Sequence, residues 1–351
     1  MDIEYFNARV RGRRGRLFKA QDYELFLRAP SEAEYRERLR STPYARHVDI
    51  AEARMTRAAD VIPSAVGSNA ADTFKFLWET APDNARHLLK TLFSKWEVHN
   101  LKALIRGFAK DVKREEIRGA VVPAGEFGPA ALNALLGAKD LVDAVRLIET
   151  WGSPYAAAFR DVPLDRHINT FELELRLDSF VYGWLLSTVK GGGADAVIIR
   201  EMLLSGIDAQ NVMTLVKTAG KGFSKETIEG FFIEGGPAAP AIDKALFAQA
   251  AGMESAQDIL DALARGARDA ELRGMLAAAD AEEPAAIEEA MDAAMEARLR
   301  KAAVTGPLTI ATAASFIYMK MRETKNLRLI AKAKLFGIPP EELKGLLIYR
   351  Q

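Results

Sequence analysis

Four histidines are the side chains best suited to acid–base or metal chemistry in this sequence: His47, His87, His99 and His167. None belongs to a set with metal-ligand spacing; Asp165 and His167 lie two apart with no third partner in view. Structural or surface roles account for all four. The chain has no cysteine, which removes thiolate nucleophiles, thiolate metal sites and disulfides. No Gly-x-Ser-x-Gly turn presents a serine nucleophile. The paired carboxylates Glu115 and Glu116 sit in a charged helical stretch, where solvation explains them. Gly191-Gly192-Gly193 follows no strand and matches neither phosphate-binding glycine pattern, so it reads as a flexible connection between helices. These residues compose no enzyme site and call for no cofactor and no metal.

One polar constellation recurs instead. Glu97, Asn100 and Arg106 stand in the stretch Glu97-Val98-His99-Asn100-Leu101-Lys102-Ala103-Leu104-Ile105-Arg106. Asp208, Asn211 and Lys217 repeat the pattern, and Glu323, Asn326 and Lys332 repeat it again. An acid lies three residues before an asparagine, and a base six after it, with aliphatic residues between. In a continuous helix the acid and the asparagine share one face, and the amide can bond the backbone of a neighbouring helix or loop. If the helix begins near the acid, the carboxylate instead complements the positive end of the helix dipole. Either way the motif is a device that fixes one helix in each unit. A second reading makes Arg106, Lys217 and Lys332 a ring of like charge facing a partner.

The elements that position these residues are helical throughout. Leu88, Leu89, Leu92, Phe93 and Trp96 recur at helical spacing, and Leu101, Leu104, Ile105 and Phe108 continue it. No run of alternating β-branched residues is long enough for a sheet. Residues 1–20 read as one basic amphipathic helix carrying Arg9, Arg11, Arg13, Arg14 and Arg16, either a solvated face or a rim that meets an anionic partner. Ser31 and Glu34 predict a capping box, and that helix ends near Ser41-Thr42-Pro43-Tyr44. A new start falls at Pro63-Ser64 or Ser68-Asn69. Helices are also expected over Leu135–Thr150, Asn169–Lys190 and Ala277–Ala303, the last closed by Gly306-Pro307, and Pro339-Pro340 breaks the final stretch. Trp96, Trp151 and Trp184 are assigned to cores.

The spacing of landmarks gives the organisation. Pro43 and Pro154, Asn100 and Asn211, and Ile117-Arg118-Gly119 and Ile228-Glu229-Gly230 are each displaced by about 111 positions, a period far above that of solenoid arrays. Asn211 and Asn326 are about 115 apart, so the third unit is slightly longer. The chain therefore divides into helical repeat units 1–118, 119–229 and 230–351.

Composition excludes several classes. Apolar residues at 49% and charged residues at 27% suit a folded chain rather than a disordered one. The 48 basic residues balance 48 acidic ones, so bulk positive charge draws no nucleic acid. Met1-Asp-Ile-Glu-Tyr-Phe6 is no secretory signal, and the weakly polar run Gly306 to Met319 is too short to span a bilayer.

Several segments together resemble a known family. They are Phe6-Asn7-Ala8-Arg9-Val10-Arg11 with Arg13-Arg14-Gly15-Arg16-Leu17, then Val98 to Arg106, then Phe231-Phe232-Ile233-Glu234-Gly235-Gly236, and last Asn326-Leu327-Arg328-Leu329-Ile330. In order and spacing they resemble the C subunits of the V/A-type ATP synthases, whose eukaryotic relatives are the d subunits of the vacuolar ATPase, over essentially the whole chain. Met213 in the second motif and an Ala-rich insert near 280 depart from the pattern. The resemblance implies an all-α funnel of three similar helical domains with a central socket. It implies a single copy in each complex, peripheral to the membrane on its cytoplasmic face. Its partners would be the proteolipid ring and the D- and F-type proteins of the central shaft, and it would couple ring rotation to the catalytic head without an active site of its own. Two other classes remain open: a helical-repeat scaffold holding a different partner in its concave face, and an enzyme whose site is assembled from scattered charges.

Overall fold

The computed structural model describes residues 2–164, 169–236, 239–344 and 346–347. Among these the chain is all-α, with no strand and one isolated antiparallel bridge, between Ala124 and Phe127. Three long helices carry the recurring motif: Asp83–Ala109, Ala194–Thr218 and Ala311–Phe336. In each, acid and asparagine stand mid-helix, so the continuous-helix geometry is the one adopted. No helix among the described residues is long and apolar enough to cross a membrane.

Contacts gather the chain into two compact units. One comprises residues 1–147 and 306–351, joining the two ends of the chain; the other is residues 148–305. This division follows contact, whereas the 111-residue period follows sequence similarity, and the two cut the chain at different places.

In the first unit the Ala311–Phe336 helix packs against Ala58–Thr80 and against the N-terminal helix Ile3–Arg14. It opens with Ala311, Thr312, Ala313, Ala314 and Ser315, all fully buried, so its first turns are enclosed on every side. Small side chains permit this, because neighbouring backbones must come close where no side is left to solvent. Beside it, Phe18 meets Tyr23, Phe26 and Tyr44 with ring centroids 5.1–6.1 Å apart. Tyr35 completes this aromatic core and donates its hydroxyl to the Leu327 carbonyl at 3.0 Å. In the second unit Ala194–Thr218 packs against Pro284–Thr305 and Ala256–Gly266, burying Val212, Phe247, Leu260, Leu263 and Met291.

Several helix boundaries differ from the sequence expectation, each for a local reason. The N-terminal helix stops at Arg14, and the chain turns so that Leu17 and Phe18 enter the core. Ser31 Oγ accepts from Glu34 N at 3.2 Å, but the Glu34 carboxylate pairs with Arg38 instead of closing the box. The helix expected to start at Pro63 or Ser68 starts at Ala58; Pro63 lies inside it, just beyond the opening turn. Gly137 splits Leu135–Thr150 into Pro129–Leu136 and Leu141–Thr150. Pro284 opens a new helix rather than sitting within one, as expected of a residue without an N–H to give. Trp96 is buried, Trp184 is half-buried against Tyr155, and Trp151 is 42% exposed and fills no core.

Candidate functional site

The asparagines of the first two motifs make the same pair of hydrogen bonds. Asn100 Nδ2 donates to the Val122 carbonyl at 2.6 Å, while its Oδ1 accepts from Val122 N at 2.8 Å. Asn211 does the same with Ile233, at 3.1 and 3.0 Å. Both partners lie 22 residues downstream. A side-chain amide carries a donor and an acceptor in one plane, which matches the N–H and C=O of a single extended residue. Both asparagines are fully buried, so the pairing satisfies a loop residue that has no water to turn to. The third asparagine, Asn326, is also buried and bonds the Tyr23 side chain.

The acids do a related task. Glu97 Oε1 accepts from Glu126 N at 2.5 Å. Asp208 receives Ala241 N and Ile242 N at 3.0 and 2.8 Å. Glu323 Oε2 receives Phe18 N at 2.7 Å. In the first two motifs the stapled loop follows its helix in sequence; in the third it comes from the opposite end of the chain. Gly125 serves the first staple: its φ is +51°, and a Cβ there would fall 1.8 Å from Glu97 Oε1. Burial pushes the Asp208 carboxyl up to about 6, against the pull of its two N–H donors; Asp269 adds to the rise and Arg298 opposes it.

Glu323 has two further partners that spacing alone did not single out. Its Oε1 accepts from Tyr44 Oη and from Lys320 Nζ, both at 2.7 Å, and Lys320 also donates to Tyr44 Oη at 2.6 Å. All three side chains are buried, making a closed ionic cluster in the first unit. Burial, reinforced by Glu323, raises the Tyr44 phenol well above its ordinary value. A signal existed for Tyr44, which is displaced by the same period from Tyr155, itself fully buried. Lys320 was visible only as the charge that ends the weakly polar run before it.

The bases are placed differently. Arg106, Lys217 and Lys332 are all exposed, one helical face away from the staples, so the motif joins acid to asparagine and leaves the base at the surface. Arg106 Nε donates within its own helix, to the Lys102 carbonyl 3.3 Å away.

The N-terminal arginines divide. Arg9 and Arg13 lie over the Phe76 ring at 5.2 and 3.8 Å, and Arg11 donates to the Pro307 carbonyl at 2.7 Å. Burial lowers the Arg13 pKa, and the charges of Arg16 and Arg9 lower it further. Arg16 is exposed and Arg14 half-buried. Asn7, fully buried, donates to the carbonyls of Pro307 and Thr309 at 3.1 and 3.0 Å, a tie that motif reading overlooked.

The histidines stay apart. His47 bonds Asp72 and Asn69, His99 meets the Ala120 carbonyl through Nε2, and His87 is exposed. Asp165 and His167 lie outside the described residues. Among the described residues no three His, Asp or Glu side chains stand close enough to hold a metal ion. The arrangement as a whole fastens helices to loops.

Comparison with known proteins matches residues 6–346 to the family described as ATP synthase (C/AC39) subunit. A relative from Haloferax volcanii, named as the C subunit of an A-type ATP synthase, is 28% identical, with 98% of this chain and 97% of that protein aligned. A second protein of that name, from Methanocaldococcus jannaschii, is 25% identical over 98% of this chain and 86% of its own length. The C subunit of a V-type ATP synthase from Deinococcus radiodurans is 25% identical over 98% and 90%.

Proposed function

The chain belongs to the ATP synthase (C/AC39) subunit family, and from that membership we propose that it is the non-catalytic rotor coupling of a V/A-type ATP synthase. It seats the base of the central shaft, formed by the D- and F-type proteins, on the membrane proteolipid ring. It carries torque between ring rotation and the catalytic head, one copy per complex, on the cytoplasmic face. The observation that carries this reading is a family match running from residue 6 to residue 346.

The staples support it physically. A coupling must not store rotation as bending, so its helices need stiff attachment to their loops. Asn100 and Asn211 each hold a loop residue by two hydrogen bonds, and Glu97, Asp208 and Glu323 hold neighbouring backbone. The three repeat units 1–118, 119–229 and 230–351 are proposed as three related walls of a socket, with Arg9, Arg11, Arg13, Arg14 and Arg16 on a rim. The exposed bases Arg106, Lys217 and Lys332 are proposed as partner-facing charges.

The test is to remove the chain from its complex and follow two activities at once. ATP hydrolysis by the head persists, and ATP-driven ion transport across the membrane is lost. Ion transport that survives removal refutes the coupling role.

A further inference from the structure

Three consecutive backbone carbonyls in the first unit are each held by a side chain. They belong to Ala120, the last residue of the short helix Arg114–Ala120, and to Val121 and Val122 behind it. His99 Nε2 donates to the Ala120 carbonyl at 3.1 Å, Arg328 Nη2 to the Val121 carbonyl at 3.0 Å, and Asn100 Nδ2 to the Val122 carbonyl at 2.6 Å. Donors suit this place, because the end of a helix leaves carbonyls without partners and carries the negative end of its dipole. His99 and Asn100 come from the first motif helix. Arg328 reaches across from the third.

The three holds are not alike. Asn100 and Val122 match donor to acceptor in both directions. Arg328 is poorly matched: Nη2 makes the bond to Val121, whereas Nε is buried without a partner. Burial pushes its pKa down to about 10, with the Tyr44 phenol set against the fall. Its seat exists because position 67 is glycine. Gly67 is buried in the Ala58–Thr80 helix, where glycine is a poor helix former, and a Cβ there would stand 3.1 Å from Arg328 Nη2 and 3.8 Å from Pro123 Cδ. In the second motif the corresponding residue is Met213, buried and with no N–H to give from its side chain.

We infer that Arg328 is a retractable bolt on the segment 120–122. Seated beside Gly67, it ties that segment to the third motif helix as well as the first. Arg328 as a whole is only half-buried, so a change of rotamer carries the guanidinium to water. Withdrawn, it hydrates the N–H that the seat leaves unpaired, and the segment is held by His99 and Asn100 alone. The cost of a buried, unpaired N–H on a charged group opposes the bond to Val121, and two positions with opposed gains of this kind make a two-state element. The segment then moves with one long helix or with two, according to the position of one side chain. This inference rests on the first unit alone and stands apart from the coupling role.

The test is amide exchange in the full-length chain. Gly67→Ala is the decisive variant, since it touches none of the three donors and improves the helix that contains it. Its new Cβ drives the bolt out, so exchange at Val121 and Val122 accelerates by about tenfold or more, the size expected for one buried hydrogen bond to a charged group. The melting midpoint of the first unit does not fall. Arg328→Met accelerates exchange at the same two amides, and adding Gly67→Ala to it changes nothing further. Ile233, stapled in the second unit, exchanges as in wild type throughout. Arg328→Lys, which keeps the charge but loses the planar fork, replaces Arg328→Met where that variant does not fold. Unchanged exchange at Val121 and Val122 in Gly67→Ala overturns the inference. So does faster exchange across the whole first unit with a lowered midpoint, which makes Arg328 a packing residue and Gly67 only the space for it.

Discussion

Replacing Asn100 or Asn211 tests whether the recurring amide staples the fold. Asn100→Leu keeps the side chain large but offers Val122 neither donor nor acceptor. Val122 is 4% exposed, so its N–H and C=O find no water. Each buried backbone group left unpaired costs about 1–3 kcal/mol, so losing both costs about 2–6 kcal/mol. Asn100→Ala falls at the lower end, because the smaller side chain leaves room for water. In a unit of this size about 1 kcal/mol moves a melting midpoint by about 2–4 °C, which predicts a drop of about 4–24 °C. The two copies lie in different units, so the effects separate. In differential scanning calorimetry Asn100→Leu lowers the transition of the unit holding residues 1–147, and Asn211→Leu lowers that of residues 148–305. Amide exchange at Val122 accelerates in the first variant and at Ile233 in the second. An unmoved midpoint with unchanged exchange at Val122 refutes the stapling role.

Other substitutions probe the acids. Gly125→Ala meets both a positive φ and the Glu97 carboxylate, so it lowers stability by about 2 kcal/mol or more and frees the Glu126 amide to exchange. Asp208, pushed up to about 6, binds a proton more readily folded than unfolded. Its contribution is therefore greatest below about pH 4 and is lost as pH rises through about 6, a change of about 3 kcal/mol. Urea titrations across that range should show this slope, and Asp208→Asn should flatten it; a slope unaltered by the substitution assigns it to other groups. Lys320→Met strands the Glu323 carboxylate in the core and costs about 3–5 kcal/mol by chemical denaturation, whereas Lys320→Met with Glu323→Gln costs less. A double variant no more stable than the single one contradicts the coupling between these two side chains.

Much of this was legible in the sequence because it repeats. Asn100 and Asn211 could be singled out because an amide that must match both halves of a peptide group tolerates no substitute, so identity and spacing survive together. The bases are less constrained: exposed on a helix, Arg106, Lys217 and Lys332 keep only their sign. Lys320 escaped notice because nothing local distinguishes a buried lysine from a surface one; its meaning comes from Tyr44, far away in the chain. Pro63 misled because a proline reads as a helix start, yet here it sits in the second turn of a helix that runs on past it, without an N–H for the Ala59 carbonyl. The partner of Glu323 was not visible, since no period points backward to Phe18.

That last contact bears on how the protein is made. Phe18 leaves the ribosome early, and the carboxylate that accepts its N–H follows 305 residues later. At about 5–20 residues per second the interval is about 15–60 s. Before it ends, the intervening unit, residues 148–305, has been made in full and can close first. The nascent N-terminal segment meanwhile holds Phe18, Tyr23 and Phe26 without the helix that covers them, and is the part of the molecule most in need of a chaperone. A polypeptide released before Glu323 lacks the closing helix and is marked for proteolysis by its own exposed aromatic core.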